Sequence, residues 1–171
     1  MTIMKIGEKG SLLIKHYEGI HDGDLTRIGL QPKMCPSGIW TVGWGHAIVH
    51  NRKFLKGKEN YELACELYKD MTLAQADKLF LVDIQVFENQ INAKRLPLLQ
   101  HQFDAVTSHT YNTGGSDTLF KLIRLKASEA SILKWFQERY IMGDGKVLKG
   151  LIARRKTEAL LYQTGELKFF N

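Results

Sequence analysis

The sequence predicts an α+β fold in which a small sheet-bearing segment precedes a set of helices. Two observations carry that expectation. Residues Ile39 to Ile48 interleave β-branched and aromatic side chains with Thr, Gly and His, the composition of two short strands or a hairpin. From Thr72 onward apolar residues recur at helical spacing instead. Strands gathered early and helices gathered late are the mark of an α+β chain.

Taken in order, Gly10 to Glu18 places Leu12, Leu13, His16 and Tyr17 at the spacing of a short helix with one buried face. An irregular segment follows, carrying Gly23, Gly29, Pro32, Pro36 and Gly38, and its His21-Asp22-Gly23-Asp24 reads as a turn. After the hairpin, Asn51 to Asn60 is polar and basic, a surface connection, and Tyr61 to Tyr68 adds a turn or two of helix. Thr72-Leu73-Ala74-Gln75 matches the reciprocal capping pattern of a helix start. The helix that follows runs to about Ala93, with Leu79, Val82, Val86 and Ile91 as its inward face. Leu98 to Tyr111 repeats the helical pattern through Phe103 and Val106, and Asn112-Thr113-Gly114-Gly115 ends it. Ser128 caps a helix bearing Ile132, Leu133, Phe136 and Tyr140; Gly143-Asp144-Gly145 is a turn; Leu151 to Tyr162 is the last helix.

A chain of 171 residues with 44% hydrophobic and 25% charged content is of a size for one core, or one core with a small lobe. No apolar run reaches the length of a membrane span. The first ten residues carry Lys5, Glu8 and Lys9 with two glycines, not the apolar run of a secretory signal peptide. A cytoplasmic fold is therefore expected, with Cys35 and Cys65 reduced, since they lie thirty positions apart and neither sits in a zinc-type spacing. No metal and no cofactor are expected. The net charge of +6 favours an anionic partner, such as nucleic acid, a bacterial wall or an acidic membrane surface.

The stretch from Tyr17 to His46 holds the chemistry. It opens on Glu18, at the end of the first helix, and closes on the run Ile39-Trp40-Thr41-Val42-Gly43-Trp44-Gly45-His46. A carboxyl at a helix end facing a hydroxyl, two indoles and an imidazole on a small sheet is a constellation for a bound substrate. Glu18-Gly19, followed by Cys35-Pro36-Ser37-Gly38-Ile39-Trp40-Thr41 with five residues between Cys35 and Thr41, then Gly43, Gly45 and His46, resembles the signature of the phage-type lysozymes. Three further stretches resemble that family in the same order: Met71 to Phe80 its long connecting helix, Gln102 to Val106 with Tyr111-Asn112-Thr113-Gly114 its central helix, and Gly150-Leu151-Ile152-Ala153-Arg154-Arg155 with Glu158 its closing helix.

The resemblance implies one lysozyme domain over 1–171. A small lobe of about 19–70 and a helical lobe of about 1–18 and 72–171 would be joined by a long helix, with a cleft between the lobes. It implies a muramidase cleaving the β-1,4 linkage between N-acetylmuramic acid and N-acetylglucosamine in peptidoglycan, as an endolysin would. Glu18, sheltered by Tyr17 and Trp44, would be the general acid, and Thr41 would orient a water on the other face of the sugar. Tyr111 and Asn112 would contact substrate, while His46, paired with Asp83, and Arg154 would support the site. Inverting chemistry is the expectation from resemblance. Such a protein is expected to be a monomer in the host cytoplasm before lysis and to rely on a holin to reach the wall.

Two departures stand out. Cys35 occupies a position that is an aspartate in some relatives, and a neutral thiol is a poor general base. Either the Thr41-bound water suffices, or Cys35 acts, or a carboxylate such as Asp22 or Asp24 substitutes. Sixteen residues also separate Glu18 from Cys35, a longer interval than is usual in the family. Cys35 with His46 is a second enzyme chemistry, although Pro36 and Gly38 are not the start of a helix. Arg154 and Arg155 as an adjacent pair read more readily as a solvated face, and Trp40, Trp44 and Trp135 as core. A non-catalytic glycan-binding module is the competing function. Nucleic-acid binding would rest on charge alone, with no basic stripe interleaved with aromatics, and is not expected.

Overall fold

A computed structural model describes residues 3–143 and 145–171. The chain divides into two compact units, residues 18–84 and residues 1–17 with 85–171.

In the smaller unit a three-stranded antiparallel sheet is formed by β1 (Lys33–Met34), β2 (Trp40–Val42) and β3 (His46–Ala47), with β2 in the middle. Lys33 and Ala47 both lie opposite Thr41, and Val42 pairs with His46 across a turn of Gly43, Trp44 and Gly45. Strands β4 (Val49–His50) and β5 (Lys53–Phe54) form a second hairpin, and α2 (Tyr61–Tyr68) follows a short 3-10 turn. Trp40, Val42, Ile48, Leu55, Ala64, Met71 and Ala76 make the core of this unit. The hydrophobic side chains are few, so polar staples matter. Buried Gln31 donates to the Gly29 carbonyl and to Asp70, and Leu30 and Met71 exchange backbone hydrogen bonds.

Helix α3 (Leu73–Ala93) starts where the capping pattern places it: Thr72 and Gln75 bond reciprocally, each side chain accepting from the other's backbone N–H. Its inward face differs from expectation. Ala76, Phe80, Ile84 and Ile91 are buried, together with Glu88, whereas Val82 and Val86 are 60% and 68% exposed. The helix has apolar residues on more than one face, and spacing alone does not choose between them. Glu88 settles part of the choice. Its carboxylate accepts from the Ile6 backbone N–H and from Lys5, which requires it to face the N-terminal segment.

The larger unit contains most of α1 (Glu8–Glu18), then α4 (Gln100–Thr113), α5 (Asp117–Arg124), α6 (Glu129–Glu138) and α7 (Lys149–Thr164), with a short hairpin of β6 (Met142–Gly143) and β7 (Lys146–Val147). The expected turn through Gly143–Gly145 includes Asp144, outside the described residues. Ser128 caps α6 by accepting from the Ser131 N–H, and Gly114 ends α4 in a left-handed conformation, φ 81°. The α5 helix was not anticipated; its start signal is Ser116, which accepts from the Leu119 N–H. Phe103 through Thr110 are all buried on α4, as are eight residues of α7. A helix buried on several faces is a core helix, and these two pack against each other at the centre of the unit.

Burial on α4 has a cost that pH reveals. His109 is fully buried, its ring against Trp135, Phe136 and Tyr140, and its Nε2 has no hydrogen-bond partner among the described residues. Burial, reinforced by Arg155 and Arg154, depresses its pKa to about 3. The folded state therefore resists protonation that the unfolded chain accepts below about 6.5. This contribution to stability is complete above that value. It falls by about 1.4 kcal/mol per pH unit as the pH drops toward 3. Denaturant titrations at pH 7, 5 and 4 should show the loss, and His109→Phe should flatten it; an equally steep profile in that variant would remove His109 as the cause.

Candidate active site

Glu18 is the last residue of α1, and Gly19 follows it with φ 70°, the left-handed conformation glycine adopts without a Cβ penalty. The chain then turns toward the sheet. His21 forms an isolated antiparallel bridge with Gly43, its N–H donating to the Gly43 carbonyl at 2.7 Å. The next turn is held by Asp22, whose Oδ1 accepts from the backbone N–H groups of Asp24 and Gln31 at 3.1 Å each. Gly23 is needed there because a Cβ would collide with the Pro32 carbonyl. The longer interval between Glu18 and Cys35 is thus an ordered loop that returns to the sheet.

Pairing His21 with Gly43 brings its ring diagonally across from Thr41, two residues earlier on the strand. His21 Nδ1 lies 2.7 Å from Thr41 Oγ1, and the same oxygen donates to the Lys33 carbonyl at 2.9 Å. Thr41 is buried, 6% exposed, so its hydroxyl is fixed by these two neighbours. The ring also interacts with the backbone carbonyl of Glu18. Burial and the charge of Lys33 lower the His21 pKa, against an upward pull from the Glu18 carboxylate and carbonyl. Glu18, His21 and Thr41 are therefore linked within one unit. His21 is the residue sequence reasoning passed over as part of a turn; only the bridge to Gly43, a long-range contact, sets it beside Thr41.

The other candidates divide by unit. Cys35, His46 and Asp83 lie in the same unit as Glu18 and Thr41, while Tyr111, Asn112 and Arg154 lie in the other. His46 Nδ1 is 2.9 Å from Asp83 Oδ2, and its Nε2 is 3.4 Å from the Tyr68 hydroxyl, so the imidazole is committed to those neighbours. That geometry gives no Cys–His pair. Cys35 is a free thiol whose Sγ lies 3.0 Å from the Ser37 hydroxyl, a contact that lowers its pKa. Cys65 is also free. Asp24 accepts from both the N–H and the hydroxyl of Thr26, and these bonds lower its pKa.

Among the described residues the thiol has Ser37 as a hydroxyl partner and no histidine or carboxylate hydrogen-bonded to it. Cys35→Ser should therefore change turnover less than about threefold, the scale of a lost packing contact and not of a lost nucleophile. A hundredfold drop would make the thiol a reacting group.

In the larger unit, the Tyr111 ring sits 5.1 Å from that of Phe87, and exposed Asn112 accepts from Arg155. Arg154 and Arg155 are 3% and 0% exposed. This corrects the solvated-face reading: both point inward because α7 is buried on several sides, and both meet Glu158. Arg154 also lies over the Tyr17 ring, whose hydroxyl bonds Thr157. Trp40 and Trp135 are buried; Trp44 is half-buried and donates to Asp77 at 2.6 Å.

Comparison with known proteins adds a second line. Residues 25–158 match the phage lysozyme family model, a match that begins seven residues after Glu18. The chain is 30% identical over 169 residues to an endolysin of Acyrthosiphon pisum secondary endosymbiont phage 1, covering 94% of this chain and 99% of the relative. It is 29% identical to an endolysin of Bacillus phage B103, of which it spans 56% of the length. Among solved structures, an endolysin from Escherichia coli O157:H7 phage FAHEc1 superposes with a TM-score of 0.73 at 24% identity, covering 98% of each chain. The muramidase domain of SpmX from Asticaccaulis excentricus gives 0.67 at 26% identity, over 94% of this chain and 98% of that one.

Proposed function

The chain belongs to the phage lysozyme family of glycoside hydrolases, and from that membership we propose that it is a muramidase of bacterial peptidoglycan. It hydrolyses the β-1,4 bond between N-acetylmuramic acid and N-acetylglucosamine. Glu18 donates a proton to the leaving oxygen, and Thr41 holds the water that attacks the anomeric carbon from the opposite face. Tyr111 and Asn112 contact the glycan, an aromatic face against the sugar ring and an amide against its hydroxyls. His46 with Asp83, and Arg154 with Glu158, hold the surrounding structure.

The observation that carries this reading is the Glu18–His21–Thr41 linkage. It keeps a carboxyl-bearing helix end and a buried, oriented hydroxyl in one unit. With Asp22 and Asp24 engaged by loop donors, and Cys35 by Ser37, the attacking water is assigned to Thr41 and not to those side chains. The net charge of +6 suits an anionic wall. Among the described residues no helix is long and apolar enough to cross a membrane. A monomer waiting in the host cytoplasm and released by a holin is the setting this reading implies.

Mass analysis of purified wall digested by the protein tests the reading. Fragments with N-acetylmuramic acid at the reducing end are expected. Fragments ending in N-acetylglucosamine, cut peptides, or intact wall bound without cleavage would reject it, the last in favour of a glycan-binding module.

A further inference from the structure

Thr41 has one hydroxyl proton and two neighbours that compete for it. Its Oγ1 is 2.9 Å from the Lys33 carbonyl and 2.7 Å from His21 Nδ1. A carbonyl only accepts. When the hydroxyl proton points at Lys33, the ring donates from Nδ1; when it points at the ring, Nδ1 is bare and accepts. The pair thus has two arrangements related by moving one proton and turning one hydroxyl. Imidazole is also the side chain whose ordinary pKa lies closest to neutrality.

We propose that His21 is the proton store behind Thr41: as water attacks the anomeric carbon, its proton passes to Thr41 Oγ1 while the Thr41 hydroxyl proton passes to His21 Nδ1. The inference rests on the glycosidase reading above and supplies the base that reading lacks. The bond from the anomeric carbon to the leaving oxygen breaks, and that oxygen takes the Glu18 proton. The bond from the anomeric carbon to the water oxygen forms, and the released proton ends on the His21 ring. The site is then left with a Glu18 carboxylate and a His21 imidazolium, equal and opposite. Return of the proton to Glu18, through solvent, restores both groups with one water consumed. His21 acts through Thr41 and is in that sense a positioning residue that also holds a proton.

The surroundings suit this role. The charged groups facing the ring are Lys33 on β1 and Glu18 at the end of α1. Burial and Lys33 hold the ring neutral and ready to accept, and the Glu18 carboxylate stabilises it once protonated. Its position is fixed by the backbone bridge to Gly43 and not by the hydroxyl contact alone. Cys35 has no part in the transfer, so a thiol at that position leaves the chemistry intact.

His21→Asn separates proton storage from anchoring, because its amide nitrogen can donate to Thr41 from near the Nδ1 position but cannot take up a proton. On soluble glycan fragments kcat should fall about a hundredfold, with KM changed less than about twofold and melting unchanged, and the acid limb of the kcat–pH profile should disappear. Near-native kcat with the acid limb retained overturns the proposal. Imidazole-nitrogen NMR of the unmodified protein and Thr41→Val supplies an arm that does not depend on activity or on the Asn variant folding. The His21 titration and tautomer should shift when the hydroxyl is removed, and an unchanged titration overturns the proposal. Failure of the glycosidase reading would look different: the native protein itself would release no new reducing ends.

Discussion

Glu18→Gln is expected to lower the rate of wall hydrolysis by about a thousandfold or more while leaving the protein folded. General acid catalysis contributes about 10²–10⁴ in rate, and an amide cannot deliver the proton that an alkoxide leaving group needs. The structural cost of the change should be small. Glu18 ends α1, where the partial negative charge of the helix C-terminus opposes a carboxylate by about 0.3–1 kcal/mol. Gln removes that opposition together with the carboxylate's attraction to His21, so the variant should melt close to the native temperature. Loss of turnover with no loss of stability marks a residue held in place for function. Clearing of chloroform-treated Gram-negative cells, read beside a thermal melt, checks both halves; a variant that still clears cells would sink the acid assignment.

How much of this was legible in the sequence depends on which interactions are local. The cap at Thr72 and Gln75, the stop at Gly114 and the cap at Ser128 are signals spanning one helical turn, and each appears where its residues place it. The hairpin around Gly43 and Gly45 is equally local, with Val42 opposite His46. The inward face of α3 was only partly so: Leu79 and Ile91 do face inward, but Ala76, Phe80 and Ile84 displace Val82 and Val86 at almost the same spacing. That decision belongs to Lys5 and Ile6, more than eighty residues away, through Glu88. His21 was missed for the same reason. Its neighbours in sequence, Asp22, Gly23 and Asp24, spell a turn, and the bond to Thr41 crosses twenty residues. Arg154 and Arg155 were misread because adjacent arginines usually face water, whereas here Glu158, the Ser108 carbonyl and the Asn112 amide oxygen offset their burial.

That buried cluster yields the second large effect: Glu158→Ala should destabilise the fold by about 3–5 kcal/mol, the usual consequence of removing one partner from a buried ion cluster. The Glu158 carboxylate is fully buried. Its Oε1 accepts from the Ser108 hydroxyl at 2.7 Å and from Arg154 Nε at 3.3 Å, and Oε2 lies 2.9 Å from an Arg155 nitrogen. The last contact is an ion pair without hydrogen-bond alignment, since both of its atoms lack a geometrically satisfied partner. Burial pushes the Glu158 pKa up, and the two guanidinium groups and Ser108 oppose that shift. Two cations around one carboxylate mean that losing the anion strands both charges away from water. For a chain of this size the expected fall in melting temperature is roughly 6–20 °C. The cluster's net worth is a separate quantity, because all three groups were desolvated to form it. The triple change Arg154→Met, Arg155→Met, Glu158→Leu should therefore recover much of the stability lost in the single variant, as apolar side chains fill the space without stranded charge. Denaturant midpoints of the native, single and triple proteins decide the matter. A triple variant less stable than Glu158→Ala would mean that the ion cluster itself, and not the stranding of charge, stabilises the packing of α7 against α4.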